Sequence, residues 1–275
     1  MTRNFTITRS LPTTFAALRY ANYRRWFIGQ VLSLMGTWMQ GVAQGWLVYE
    51  ITGSRLALGT ISFVGSIPTL LFMLPAGAVA DRISRRKMLL ATQTAMMICA
   101  FILAAVTGAR MVQVWHIALL GFVLGIANAF DSPARLALTV ELVDDHRDLQ
   151  NAIALNSTMF NLARVVGPAI GGLILAVVGP AWCFALNGLS FVAVLIALAG
   201  MRLNETAQPV RTRHFTAEIA EGLSYVWKSE IVRPLVALVA VTSIFGFSYS
   251  VLMPAYAVDV LGVGEAGLGA LTAAV

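Results

Sequence analysis

Residues Gly77 to Lys87 read Gly-Ala-Val-Ala-Asp-Arg-Ile-Ser-Arg-Arg-Lys, closing one long apolar run (Leu56 to Ala80) and preceding another (Met88 to Ala109). Each run reaches the about 20 residues a helix needs to cross a bilayer. The charged stretch is therefore a tight loop between two membrane helices. One acid and four bases in so short a segment resist translocation, so the loop belongs on the cytoplasmic side. That assignment orients every other segment.

Composition agrees. Hydrophobic residues make up 58% of the chain and charged residues 12%, with a mean hydropathy of +0.78, whereas about a quarter of a soluble domain is charged. The net charge of +6 and pI near 9.8 invite comparison with nucleic-acid binders. However, all nineteen Lys and Arg except Arg55, Arg110 and Arg164 fall in segments assigned to the cytoplasm. The basicity reports topology and implies no nucleic-acid partner. Cys99 and Cys183 sit inside apolar runs without a His or acid at ligand spacing, so neither a disulfide nor a metal site is expected. No Gly-rich phosphate loop and no Ser-His-Asp set in polar surroundings is present, which argues against an enzyme or a nucleotide-driven pump and implies no cofactor.

The order of spans follows from the apolar runs. Arg3, Arg9, Arg19, Arg24 and Arg25 precede a first span, Trp26 to Tyr49, and place the N-terminus in the cytoplasm. That run is too long for a signal peptide and lacks a cleavage site, so it is retained. Leu11 to Tyr23 reads either as a short surface helix or as loop. A fourth span, Val114 to about Phe130, descends to Asp131-Ser-Pro-Ala-Arg135. Asp131 and Arg135 are spaced for an ion pair near the cytoplasmic surface, while Pro133 is expected to bend or end the helix. Leu136 to Leu149 then reads as an acidic connection, Asn151 opens the fifth span, and Trp182 to Met201 forms the sixth.

The fifth span carries a second informative segment, Ala163-Arg-Val-Val-Gly167-Pro168-Ala-Ile-Gly171-Gly172. Small residues allow close helix packing, and the proline frees a backbone carbonyl. Arg164 is the formal charge deepest in a span, where insertion costs about 2.5–3.5 kcal/mol. Ser157, Asn161, Arg164 and Pro168 share one helical face as a polar stripe. Arg164 either holds neighbouring helices through their carbonyls and amides or serves an anionic, oxygen-rich substrate. Gln40 and Gln44, with Thr37 one turn earlier, share a face of the first span; they read either as interhelical hydrogen-bonding groups or as the lining of a substrate path.

These segments resemble the major facilitator superfamily of secondary transporters. Its signature after the second helix, Gly-x-Leu-Ala-Asp-Arg-x-Gly-Arg-Lys, is matched at Gly77, Ala80, Asp81, Arg82, Arg85 and Arg86, with Val79 and Ser84 as departures. Its exporter pattern Gly-x-x-x-Gly-Pro-x-x-Gly-Gly is matched at Gly167, Pro168, Gly171 and Gly172, with Ala163 for the first Gly. The phrases Leu18 to Phe27, Trp46 to Ser54 and Asn128 to Arg135 resemble a bacterial branch that includes siderophore exporters and multidrug efflux proteins.

The resemblance implies an all-α, polytopic membrane helix bundle of the bacterial inner membrane. Residues 1–201 would form a six-helix half, 202–233 a cytoplasmic linker with an amphipathic helix over Phe215, Ile219, Leu223 and Val226 or Trp227, and 234–275 the start of a second half: a seventh span, Pro234 to Val258, and the beginning of an eighth from Leu268. On this reading the chain is incomplete and lacks the rest of its partner half. Asp81, Arg82 and Arg85 would tie the second helix to the opposite bundle when the inner gate is closed. The implied activity is export of a small organic compound by alternating access, coupled to protons. No acid lies mid-span; Asp131 is the candidate here for a proton site, and otherwise the coupling acid belongs to the rest of the second half. An importer of the same fold, or a membrane module that transports nothing, are the rival readings.

Overall fold

The computed structural model describes residues 13–80, 83–143, 145–201, 224–246 and 248–275. A short 3-10 helix, Thr13–Arg19, leads into six long helices: α1 (Ala21–Thr52), α2 (Arg55–Ala80), α3 (Arg85–Gly108), α4 (Val114–Glu141), α5 (His146–Val178) and α6 (Pro180–Ala199). They are followed by α7 (Val232–Val241), a π-helical turn at Thr242–Gly246, α8 (Ser248–Asp259) and α9 (Glu265–Ala274). The helices form a multi-pass membrane bundle. Among the described residues six segments are long and apolar enough to cross a membrane, five of them within α2 to α6 and one running Val232–Asp259.

α1 is not among those six, although its 32 residues exceed the span length. Its polarity follows from its position. It packs mainly on α5 and α6, and its Gln30, Ser33 and Gln40 are buried. A helix enclosed by other helices needs hydrogen-bond partners more than it needs an apolar surface. α4, by contrast, packs on α2 and α3. The α2–α4 contact is backbone-close: a Cβ at Gly125 would fall on the Gly65 carbonyl oxygen, and Thr69 donates to the Gly125 carbonyl at 3.1 Å.

The ends of the helices have local causes. Ser84, which stands where the superfamily signature has Gly, is the N-cap of α3 and accepts from the Lys87 N–H. Asp145 caps α5 by accepting from Arg147 N at 2.9 Å. α1 stops at Gly53, whose left-handed φ of 59° suits glycine and whose N–H returns to the Tyr49 carbonyl at 2.8 Å. The segment before α1 is braced on α5: Ala17 N donates to Asn151 Oδ1 at 2.9 Å, Asn151 Nδ2 donates to the Thr14 carbonyl at 2.8 Å, and Arg19 pairs with Asp148.

Two expectations about this end of the bundle need correction. α4 runs through Pro133 to Glu141, so the stretch from Leu136 is largely helix rather than connection. Proline removes one intrahelical donor, but the flanking turns of α4 lie buried at Ala129, Asp131, Ala134 and Leu138 and keep the helix continuous. α5 likewise starts at His146, five residues ahead of Asn151. The linker stripe at Phe215, Ile219 and Leu223 lies outside the described residues; residues 224–228 are helical. The expected seventh span corresponds to the segment Val232–Asp259, which takes in α7, the π turn and α8, and α7 buries none of its side chains.

Candidate transport path

α6 packs on both α1 and α3, α5 packs mainly on α1, and α4 barely touches α5. Between α1, α4 and α5, toward the end where α1 begins, this leaves a cavity of about 530 Å³. Its apolar wall is formed by Trp26, Leu34, Met159 and Phe160, and its polar wall by Arg135, Thr139, Asn156, Ser157 and Asn161. A second cavity, about 300 Å³, lies farther along α1, where Trp38, Gln44, Ser62, Ser250, Pro254 and Thr272 bring α1, α2, α8 and α9 together. The two cavities have no lining residue in common.

The polar wall of the larger cavity is a connected network. Asp131 is 1% exposed. Its Oδ1 accepts from Thr92 Oγ1 at 2.9 Å and Gln93 Nε2 at 2.8 Å, and its Oδ2 lies 3.6 Å from Arg135 Nε. The expected ion pair is therefore present, but it sits ten residues before the end of α4, about 15 Å along the helix axis. One turn farther on, Thr139 Oγ1 accepts from Asn156 Nδ2 at 3.1 Å, and Tyr23 donates to the Ala152 carbonyl at 3.0 Å and to Asn156 Oδ1 at 3.2 Å. A guanidinium backed by a buried carboxylate gives this cavity one fixed, half-exposed cation among hydroxyl and amide groups. Such a wall can bind an oxygen-rich group while the opposite wall accepts apolar surface.

The structure divides the residues expected along a substrate path. Gln44 and Asn161 line the smaller and the larger cavity respectively. Gln40 is buried elsewhere, accepting from Asn187 Nδ2 at 2.7 Å, and so joins α1 to α6. Arg164 lines neither cavity; it lies where α5 meets α9 and donates from Nη2 to the Val275 carbonyl at 3.0 Å. The shared-face argument placed each pair on one side of its helix. It did not identify which neighbour that side meets.

In the loop signature, Asp81 and Arg82 lie outside the described residues. Gly77 is near the end of α2 with no atom near its Cβ position. Arg85 pairs with Glu141 at the end of α4, and Arg86 Nη2 donates to the Ala199 carbonyl at the end of α6 at 2.9 Å. Both contacts stay within the six-helix bundle. The glycines of α5 meet two different helices. Gly167 and Gly171 face α1, with Cβ positions 2.7 Å from Trp38 Cβ and 3.0 Å from Met39 Cα. Gly172 faces α9, its Cβ position 2.6 Å from Gly269 Cα. Any side chain at Gly172 would meet backbone.

One cluster was not anticipated from sequence. At the far end of α1, Asp259 of α8 accepts from Tyr49 Oη at 2.6 Å and from Arg55 Nε at 3.1 Å and Nη2 at 2.6 Å. It joins the α1–α2 turn to the end of α8. The available signal was the placement of Arg55 and Asp259, opposite in charge, at the ends of spans on the same side. Cys99 and Cys183 are buried in α3 and α6, and among the described residues no group of three or more His, Cys, Asp and Glu is arranged to hold a metal.

Comparison with known proteins fits this architecture. Residues 12–275 match the family described as transmembrane secretion effector. The chain is 32% identical over 231 residues to the multidrug efflux pump Tap of Mycolicibacterium fortuitum, covering 79% of this chain and 55% of that protein. It is 29% identical over 174 residues to the staphyloferrin A transporter of Staphylococcus aureus, covering 62% of this chain and 44% of the relative. With the macrolide efflux protein A of Streptococcus pyogenes the identity is 25% over 250 residues, or 88% and 61% of the two chains. The chain spans about half the length of these curated relatives. With nearly its whole length matched and its helices arranged as a membrane bundle, the chain belongs to the transmembrane secretion effector family of the major facilitator superfamily.

Proposed function

We propose that the chain is the substrate-path portion of a secondary transporter that exports a small organic compound across the bacterial inner membrane by alternating access, driven by proton entry. The observation that carries this reading is the pair of cavities placed one after the other along α1, with no lining residue in common. Alternating access needs a site reached from one side at a time. Relatives named as a multidrug efflux pump and a macrolide efflux protein support reading the direction as export and the substrate as a small organic compound.

On this proposal residues 1–201 form one bundle, 202–233 connect, and 234–275 begin the second. The N-terminus and the Arg85–Arg86 end are cytoplasmic, so the larger cavity opens inward. Asp131 and Arg135 hold the inward cavity's polar wall, with Asp131 the candidate proton site of this segment, and Gln44 and Asn161 meet substrate. Gly77, Asp81, Arg82, Arg85 and Arg86 form the inner gate. Gly167, Pro168, Gly171 and Gly172 set the spacing of α5 against α1 and α9. Tyr49, Arg55 and Asp259 then close the outer end by joining the first bundle to α8. Opening outward requires this cluster to part.

The cluster provides the test. Bacteria producing the protein are expected to retain less of a radiolabelled macrolide than cells without it. Arg55→Glu places two acids together and is expected to return retention to the level of cells without the protein. The exchange R55E/D259R should recover part of the export. Unchanged retention in producing cells would contradict the transport reading. Failure of the exchange to recover any export, with both variants present in the membrane, would contradict the outer closure.

A further inference from the structure

We infer that Trp38 and Phe160 form the movable partition of the path, separating the two cavities by ring contact; this rests on the transport reading above. Trp38 lines the smaller cavity and Phe160 the larger. Their ring centroids are 5.8 Å apart with the planes at 73°, an edge-to-face contact. Each ring therefore belongs to a different cavity while touching the other. This is the point at which α1 and α5 close the space that α4 leaves open lower down.

The two rings differ in how firmly they are held. Trp38 is set at its base by Gly167, where a Cβ would lie 2.7 Å from Trp38 Cβ and 2.8 Å from the Met35 carbonyl. The bulk of Trp38 thus depends on the absence of a side chain at position 167, which assigns a specific task to one glycine of the α5 motif. Phe160 is 46% exposed and lies two turns before Gly167. It is the ring with room to swing.

An edge-to-face pair suits a partition because its contact is apolar and carries no hydrogen bond that must be broken. A planar solute can replace one ring against the other with a contact of the same kind. The proposal therefore names the favoured solute as one with a flat, apolar or aromatic portion. Any oxygen-rich portion would lie toward Arg135, in the larger cavity.

The test uses side-specific thiol labelling. Cys99 and Cys183 are first replaced with alanine, and S62C in the smaller cavity or S157C in the larger one provides the reporter. A charged, membrane-impermeant methanethiosulfonate is applied to right-side-out or to everted vesicles. With the ring pair intact, S157C should react fast from the cytoplasmic face and slowly from the other, and S62C should show the opposite order. Trp38→Ala or Phe160→Ala should raise the slow, cross-side rate about tenfold, the equilibrium equivalent of losing one such aromatic contact. Trp38→Phe keeps a ring and should leave the cross-side rate close to the parent value.

Cross-side rates unchanged in both alanine variants would overturn the partition, as would opening by Trp38→Phe equal to that by Trp38→Ala. Same-side labelling at the parent rate shows that a variant is folded. The readout needs no substrate, so it separates failure of the partition from failure of the transport reading.

Discussion

An Asp131→Ala chain is expected to lose about 3 kcal/mol of stability, the lower end of the range for breaking a buried pair because Arg135 is 28% exposed. The Arg135 guanidinium and the Gln93 amide lose the Asp131 carboxylate at once, while the Thr92 hydroxyl keeps the Leu89 carbonyl as acceptor. Desolvated donors without acceptors carry the larger part of that cost. Asp131→Asn separates the contributions, since it retains a carbonyl oxygen that can accept from Thr92 and Gln93 while removing the charge opposite Arg135. Thermal unfolding in detergent should rank the parent first, Asp131→Asn second and Asp131→Ala last. The double change D131L/R135M, which removes both charges with apolar side chains of similar bulk, should recover most of the loss. If Asp131→Ala unfolds with the parent, the pair has no structural weight and Asp131 is held for another purpose.

The second large effect is expected at Gly172. Its Cβ position lies 2.6 Å from Gly269 Cα, 2.9 Å from the Glu265 carbonyl oxygen and 2.9 Å from Gly269 N. All three are backbone atoms of one helix, so no rotamer change relieves the clash; α9 must move as a body. Gly172→Ala should cost about 1–3 kcal/mol as overpacking, and Gly172→Leu should separate α9 from α5 altogether. Gly59→Ala is the control, because nothing lies within 4 Å of that Cβ position and alanine is the better helix former. Thermal midpoints of the three variants in one detergent check the order. A Gly172→Ala midpoint equal to that of Gly59→Ala would mean that the α5–α9 approach is looser than described.

Much of this arrangement was legible before any coordinates. Apolar runs marked the spans because a bilayer imposes a length, and the i,i+4 spacing of Asp131 and Arg135 marked a pair because a helix places those positions together. The α5 glycines read as a close-packing face for the same reason. What the chain could not disclose was the partner across space. Gln40 finds Asn187, 147 positions away, and Tyr49 finds Asp259, 210 positions away. Periodicity identifies a face but not its neighbour, so Gln40 and Gln44 looked equivalent although one holds α6 and the other lines a cavity. Pro133 left open a bend or an end, and the end did not occur. A local rule that ends helices in isolation gave way to burial on both flanking turns. Trp38 and Phe160 gave no sequence signal, since aromatic residues in apolar helices are common and only the cavities on either side distinguish this pair.

Directional movement is the central claim, and everted membrane vesicles containing the protein test it most directly. A pH gradient, acidic inside, is imposed and uptake of a radiolabelled macrolide is followed. The account predicts accumulation against the concentration gradient that collapses when the pH gradient is dissipated, and little uptake when no pH gradient is imposed. Equal uptake with and without the gradient, or accumulation only in right-side-out vesicles, would contradict proton-driven export and favour a facilitator or an importer on the same fold.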